Sequence, residues 1–141
     1  MTVVALEQTS PVPGAVEANT LDLLGRAEQA LATSDIVVFP ELANTGYVTA
    51  PQDVTRLAQP LDGPLCGQLS DLTRRRGGLV VTGFAELDGE DVFNTVAIVG
   101  PDGPLLRYRK LHLFDTEQLA YTPGDDLPVV STDYGVLAAC I

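Results

Sequence analysis

Glu41 stands where a general base could act, directly behind the apolar run Asp35-Ile-Val-Val-Phe-Pro40. That run reads as a strand stopped by proline, and open α/β sheets bind ligands at the carboxyl ends of their strands. Apolar neighbours favour the neutral form of a carboxyl group, which suits proton transfer near neutral pH. The plainer reading is an N-cap or a solvated loop carboxylate. Lys110 is the second candidate. In Arg107-Tyr-Arg-Lys-Leu-His-Leu-Phe114 polar and apolar residues alternate. As a strand, this segment carries Arg107, Arg109 and Leu111 on one face and Tyr108, Lys110 and His112 on the other. A lysine beside a tyrosine can be a desolvated cation that meets a developing oxyanion. The competing reading is an edge-strand lysine facing water. His112 could activate the thiol of Cys140, but a solitary histidine on a mixed strand reads more simply as a structural group, and it ranks below Glu41 and Lys110. Cys66 lies among leucines and reads as a small core hydrophobe. Glu117, in Phe114-Asp-Thr-Glu117, reads by itself as a loop carboxylate.

The elements that must position these groups follow from periodicity and punctuation. Thr2 to Glu7 is β-branched and apolar and predicts a first strand. From Ala15 to Ala32, Val16, Leu23, Leu24, Ala27 and Leu31 recur at helical spacing. A second helix starts near Pro64, buries the stripe Leu65, Leu69 and Leu72, carries Arg74 to Arg76 in its last turn, and stops at Gly77-Gly78. Leu79 to Phe84 is the next strand. Val92 to Val99 and Leu105 to Arg109 form a hairpin through Gly100-Pro-Asp-Gly103. Val129 to Thr132 and Val136 to Ile141 are further strands. Alternating strands and helices followed by antiparallel strands predict an α/β fold with a mixed sheet. The last strand looks buried and has no element after it to complete its cover, so the chain is expected to be cut within a domain.

Composition bounds the function. The chain has 141 residues with 8 basic and 19 acidic side chains, a net charge of −11. Such a surface repels phosphate backbones and anionic lipid, so neither nucleic acid nor membrane is expected as a partner. No apolar stretch is long enough to span a bilayer, and the N-terminal residues do not read as a secretory signal. Two cysteines make no disulfide framework, and no Cys/His cluster suggests a metal. A reduced, cytoplasmic setting is the default expectation.

The segments FPELANTGY at Phe39 to Tyr47, VFNTVAIVGPDG at Val92 to Gly103, YRKLHLF at Tyr108 to Phe114 and YTPGDDLPV at Tyr121 to Val129 resemble, in this order, the nitrilase superfamily of carbon–nitrogen hydrolases. The resemblance covers essentially the whole chain. It implies a nitrilase-like αββα sandwich, here incomplete, with roughly the first half present as a mixed sheet with helices on one face. Residues 1–141 would form the N-terminal part of a single hydrolase domain. It implies a Glu–Lys–Cys triad in which Glu41 is the base, Lys110 the oxyanion-stabilising cation and Glu117 a supporting carboxylate, with Tyr47 an aromatic beside the substrate. A metal or organic cofactor is not implied. FPELANTGY is similar to amidases and carbamoyl-amide hydrolases, so a small-molecule amide is the expected substrate and a homo-oligomer the expected assembly.

The nucleophile is left open between two registers. If Gly135 opens the nucleophile strand, the reactive cysteine falls at the residue after Ile141, and Cys140 sits one pleat back on the same face. This register is preferred, and it leaves the chain without a nucleophile of its own. The alternative places the nucleophile at Cys140. A second functional class also stands: a catalytically inactive fragment or regulatory relative that acts only by association.

Overall fold

A computed structural model describes all residues from Met1 to Ile141. Five strands form one mixed sheet in chain order: β1 (Val4–Leu6), β2 (Ile36–Val38), β3 (Leu79–Asp88), β4 (Asp91–Gly100) and β5 (Gly103–Arg109). β1, β2 and β3 run parallel, and β3–β4 and β4–β5 are antiparallel hairpins. The parallel strands are joined by crossovers that contain α1 (Val16–Ala30), α2 (Pro51–Leu57) and α3 (Pro64–Arg76). A terminal hairpin, β6 (Val129–Thr132) and β7 (Gly135–Ala138), forms a separate sheet. The α/β class, with a mixed sheet and a helix layer on one face, agrees with the expectation.

The helices exist because their apolar positions fall on one side. Leu23 and Ala27 of α1 and Leu65, Leu69 and Leu72 of α3 bury against Val37, Val80, Phe84, Ala97 and Val99 of the sheet. A fully buried leucine such as Leu69 contributes on the order of 2 kcal/mol. Cys66 lies in this core, as expected, and burial beside Glu86 and Asp62 pushes its thiol up to about 12. The opposite sheet face carries Ile36, Leu79, Ile98, Leu106 and Tyr108, partly covered by Val130, Tyr134 and Leu137 of the terminal hairpin and its turn.

Three expectations need correction. The second helix of the chain is α2, which the apolar periodicity did not indicate because it spans only Pro51–Leu57 and buries only Val54 and Leu57. β3 continues to Asp88 rather than stopping at Phe84, and turns at Gly89 into β4. The last strand ends at Ala138, and Val136 is exposed, so the segment is not the buried strand that its composition suggests.

Candidate active site

Glu41 follows β2 on a loop zipped along β3. Phe39 N–H donates to Val81 O, Gly83 N–H to Pro40 O, and Ala43 N–H to Gly83 O. Gly83 makes this possible, because a Cβ there would fall 2.6 Å from Leu42 N and 2.8 Å from Glu41 C, with Glu41 Cα closer still. Leu42 next to the carboxylate has φ 48°, a conformation that costs a branched side chain on the order of 1 kcal/mol or more. Its side chain is held under the loop, buried with Val54, Ala85, Val92 and Tyr121. Asn19 of α1 secures the same loop by donating to Asn44 O and Val12 O while accepting from Val12 N–H.

Lys110 comes from the residue after β5. Its backbone N–H donates to Asn94 O, and its carbonyl accepts from Gly124 N–H. Glu117 sits on a short 3-10 helix, Asp115–Leu119, where its Oε2 accepts from Phe114 N–H at 2.8 Å. These elements bring Glu41, Lys110 and Glu117 together. The Lys110 ammonium donates to Glu117 Oε1 at 3.0 Å and to Glu41 Oε2 at 3.3 Å. Tyr47, half exposed, donates its hydroxyl to Glu117 Oε1 at 3.2 Å.

Asn94 of β4 joins them, a residue that the sequence reading did not single out. Its Nδ2 lies 3.3 Å from Glu41 Oε2 and 3.5 Å from Glu117 Oε1, and the residue is fully buried. The signal was present: asparagine is depleted in strands, and this one interrupts the apolar run Val92 to Val99.

The two carboxylates have unequal surroundings. Glu117 is completely buried, with both oxygens engaged by Phe114, Lys110, Tyr47 and Asn94. Glu41 is about a third exposed, 35%, and only its Oε2 is engaged. Burial opposes the charge of Glu117, but the Phe114 amide, Lys110 and Tyr47 outweigh it and hold its pKa below the ordinary value. Burial likewise opposes the charge of Lys110, and Glu117 and Glu41 outweigh it, so the ammonium titrates above an ordinary lysine. Tyr47 is pushed up by burial and by the charge of Glu117.

The folded chain holds Glu117 ionised below the ordinary glutamate value of 4.5. Its stabilising contribution is therefore complete above that value and disappears as pH falls through the lowered folded pKa. Urea midpoints of the parent and Glu117→Gln are expected to differ clearly at pH 7 and to converge toward pH 3. A gap that stays constant would refute the assignment. Lys110 gives the opposite arm: its contribution is complete below the ordinary lysine value of 10.5 and is lost as pH rises through the raised folded pKa.

The remaining candidates lie differently. Cys140 is exposed, beyond the end of β7, and lines a hollow of about 550 Å³ that also has Glu41, Val81, Val96, Leu137 and Ile141 on its wall. Glu41 is the only polar residue of that lining. His112 is exposed and borders a different groove with Leu113 and Tyr121, so the Cys140–His112 pairing gains no support. Tyr108 and Lys110 do share a face, but Leu111 packs with Tyr108 rather than with the arginines, because β5 ends at Arg109 and the alternation ends with it. No group of three or more His, Cys, Asp or Glu side chains is arranged to hold a metal ion.

The profile of the carbon–nitrogen hydrolase family matches residues 3–141. A nitrilase of Pyrococcus abyssi is 39% identical over 94 residues, covering 65% of this chain and 36% of that protein. An (R)-stereoselective amidase of a Pseudomonas species is 37% identical over 111 residues, covering 76% of this chain and 40% of the amidase. Among solved structures, a CN-hydrolase superfamily protein of Xanthomonas campestris with an arsenic adduct in its active site superposes with a TM-score of 0.83 at 26% identity, over 97% of this chain and 51% of that one. The chain thus spans about half the length, or less, of the proteins it matches.

Proposed function

The chain belongs to the carbon–nitrogen hydrolase family, and from that premise we propose that it is the N-terminal part of an amidase-type enzyme that cleaves a small amide or carbamoyl amine through a cysteine thioester. The observation that carries the reading is the ammonium of Lys110 held between Glu41 and Glu117 at 3.3 and 3.0 Å. Glu41 meets Lys110 across 69 positions of chain, with Glu117 seven positions beyond the lysine, and this convergence supports acyl transfer to a thiol.

The free Oε1 of Glu41 takes the proton of the thiol, whose ordinary pKa of about 8.5 leaves it mostly protonated at neutral pH. The thiolate attacks the carbonyl carbon. Lysine has three N–H donors, and with two engaged by carboxylates the third is left for the oxyanion. Collapse breaks the carbon–nitrogen bond, and Glu41 returns the proton to the departing ammonia or amine. Water then attacks the thioester, giving its proton to Glu41. The carbon–sulfur bond breaks, the acid is released, and the proton returns to the thiolate. Glu117, buried and saturated with donors, keeps Lys110 in place, and Tyr47 flanks the substrate. The nucleophile of this reading is the residue that follows Ile141, with Cys140 as the fallback.

The same reading takes the protein as a cytoplasmic homo-oligomer acting on small molecules. The net charge of −11 supports the absence of nucleic-acid and anionic-lipid partners, and no helix is long and apolar enough to cross a membrane. Short amides, carbamoyl amines and nitriles offered to the complete gene product test the proposal. Ammonia or amine release, with an acyl adduct on a single cysteine by intact mass, is the expected result. A complete product that releases nothing and carries no adduct would instead favour the catalytically silent relative that acts by association.

A further inference from the structure

Behind the candidate site, on the helix-bearing face of the sheet, lies a second charged cluster that the proposed reaction does not use. Glu86 of β3 is 2% exposed and accepts from Arg109 Nε at 3.0 Å, from Arg109 Nη2 at 2.7 Å and from the Thr95 hydroxyl at 2.7 Å. Arg109 also donates to Asp88 at 2.6 Å and lies with its guanidinium 3.6 Å from the centre of the Phe93 ring. Arg107 approaches Glu86 more loosely, at 3.6 Å.

The placement gives the cluster its meaning. β5 is an edge strand, and Arg109 is its last residue. Glu86 belongs to β3, so the ion pair reaches over β4 and ties the end of the edge strand to the middle of the sheet. Side chains alternate across a strand. Thr95 and Arg109, which are register partners, face the cluster, while their neighbours Asn94 and Lys110 face the candidate site. Gly124 backs the same point, since a Cβ there would fall 2.7 Å from Arg109 Cβ and closer still to Arg109 O.

We propose that Glu86 and Arg109 are positioning residues that hold the end of β5 in register and so aim Lys110 at the two carboxylates. The kinetic part of the proposal rests on the hydrolase reading; the structural part does not. A cluster that served stability alone could be replaced by apolar side chains of similar volume at little loss, as buried ion pairs commonly can. A positioning cluster could not.

The triple replacement Glu86→Met, Thr95→Val and Arg109→Met removes the partners together and leaves no buried charge without a counterpart. Lys110 is the sole lysine of the chain, so lysine labelled with ¹⁵N at Nζ reports one side chain. The parent is expected to give a slowly exchanging ammonium signal. The triple variant is expected to retain its fold by circular dichroism while ammonium exchange accelerates about tenfold or more, as a loosened hydrogen bond permits. In the complete gene product, kcat is expected to fall by up to about a hundredfold with KM changed less than about twofold, since displacement of a reacting group by an ångström has effects of that size. Glu86→Gln, which keeps the shape and the single lysine but loses the charge and one acceptor oxygen for Arg109, should lie between. Unchanged ammonium exchange in a folded triple variant, or in Glu86→Gln if the triple variant does not fold, overturns the proposal. A complete product without hydrolase activity removes the kinetic arm and leaves the exchange measurement to decide.

Discussion

Replacing Glu41 by glutamine in the complete protein is expected to lower kcat by roughly 10²- to 10⁴-fold, the usual contribution of a positioned acid–base group, with little change in thermal stability. Glutamine keeps the shape and can still accept from Lys110, so the loop on β3 survives. What disappears is a site for the travelling proton. In the proposed cycle the same carboxylate serves acylation and thioester hydrolysis, so both steps should slow and no burst of acyl adduct should precede steady turnover. Glu41→Gln should differ from Glu117→Gln in kind. Glu41 is about a third exposed with one oxygen free, whereas Glu117 is wholly buried with both oxygens engaged. The first substitution should cost rate, and the second should cost stability as well. Steady-state kinetics and melting curves on the pair test this. A Glu41→Gln enzyme within about tenfold of the parent rate would lie below the range for a general base.

Gly83→Ala is the second large effect. The added methyl would meet backbone atoms of Glu41 and Leu42, with Leu42 N 2.6 Å away. A main-chain segment pinned to β3 on either side, through Pro40 O and Ala43 N–H, cannot yield as a flexible side-chain tip could. The expected loss is about 1–3 kcal/mol, the range for overpacking. In a chain of this size that lowers the unfolding midpoint by roughly 2–12 °C. Glu41 should also be pushed off its place, so turnover in the complete enzyme should fall by up to about a hundredfold even where the variant folds. Gly67→Ala is the internal control. Gly67 lies within α3 with nothing within 4 Å of its Cβ position, and alanine there should raise stability by about 0.5–1 kcal/mol. Equal melting shifts of the same sign in the two variants would contradict the close-approach argument.

The sequence carried much of this site and lost some of it for definable reasons. Glu41 and Lys110 were legible because each borders an element with a strong pattern: an apolar strand stopped by proline for one, an alternating strand for the other. Their meeting was not legible from spacing, since 69 positions separate them; it came from the resemblance and is now given by the geometry. Asn94 carries no titratable group and marks itself in the sequence only by breaking an apolar run, although its amide contacts both carboxylates. Glu86 was missed for a different reason. The apolar pattern of its strand weakens past Phe84, and a carboxylate in Ala85-Glu-Leu-Asp88 looks solvated until the arginine that neutralises it is brought across β4. The Asp88-Gly89 turn signal would have extended the strand. α2 escaped because a seven-residue helix offers too few turns for a periodic stripe.

The contributions from residues 41, 94, 110 and 117 also set a timetable for assembly. The β3–β4–β5 meander has local pairings and can zip early, whereas contacts between Glu41 and Lys110 must close a long loop first, which makes them slow and late. During synthesis the first strands and α1 leave the ribosome well before the lysine and second glutamate that complete the cluster. A nascent chain therefore holds much of its hydrophobic layer early, and Glu41, Asn94, Lys110 and Glu117 come together only when the meander docks.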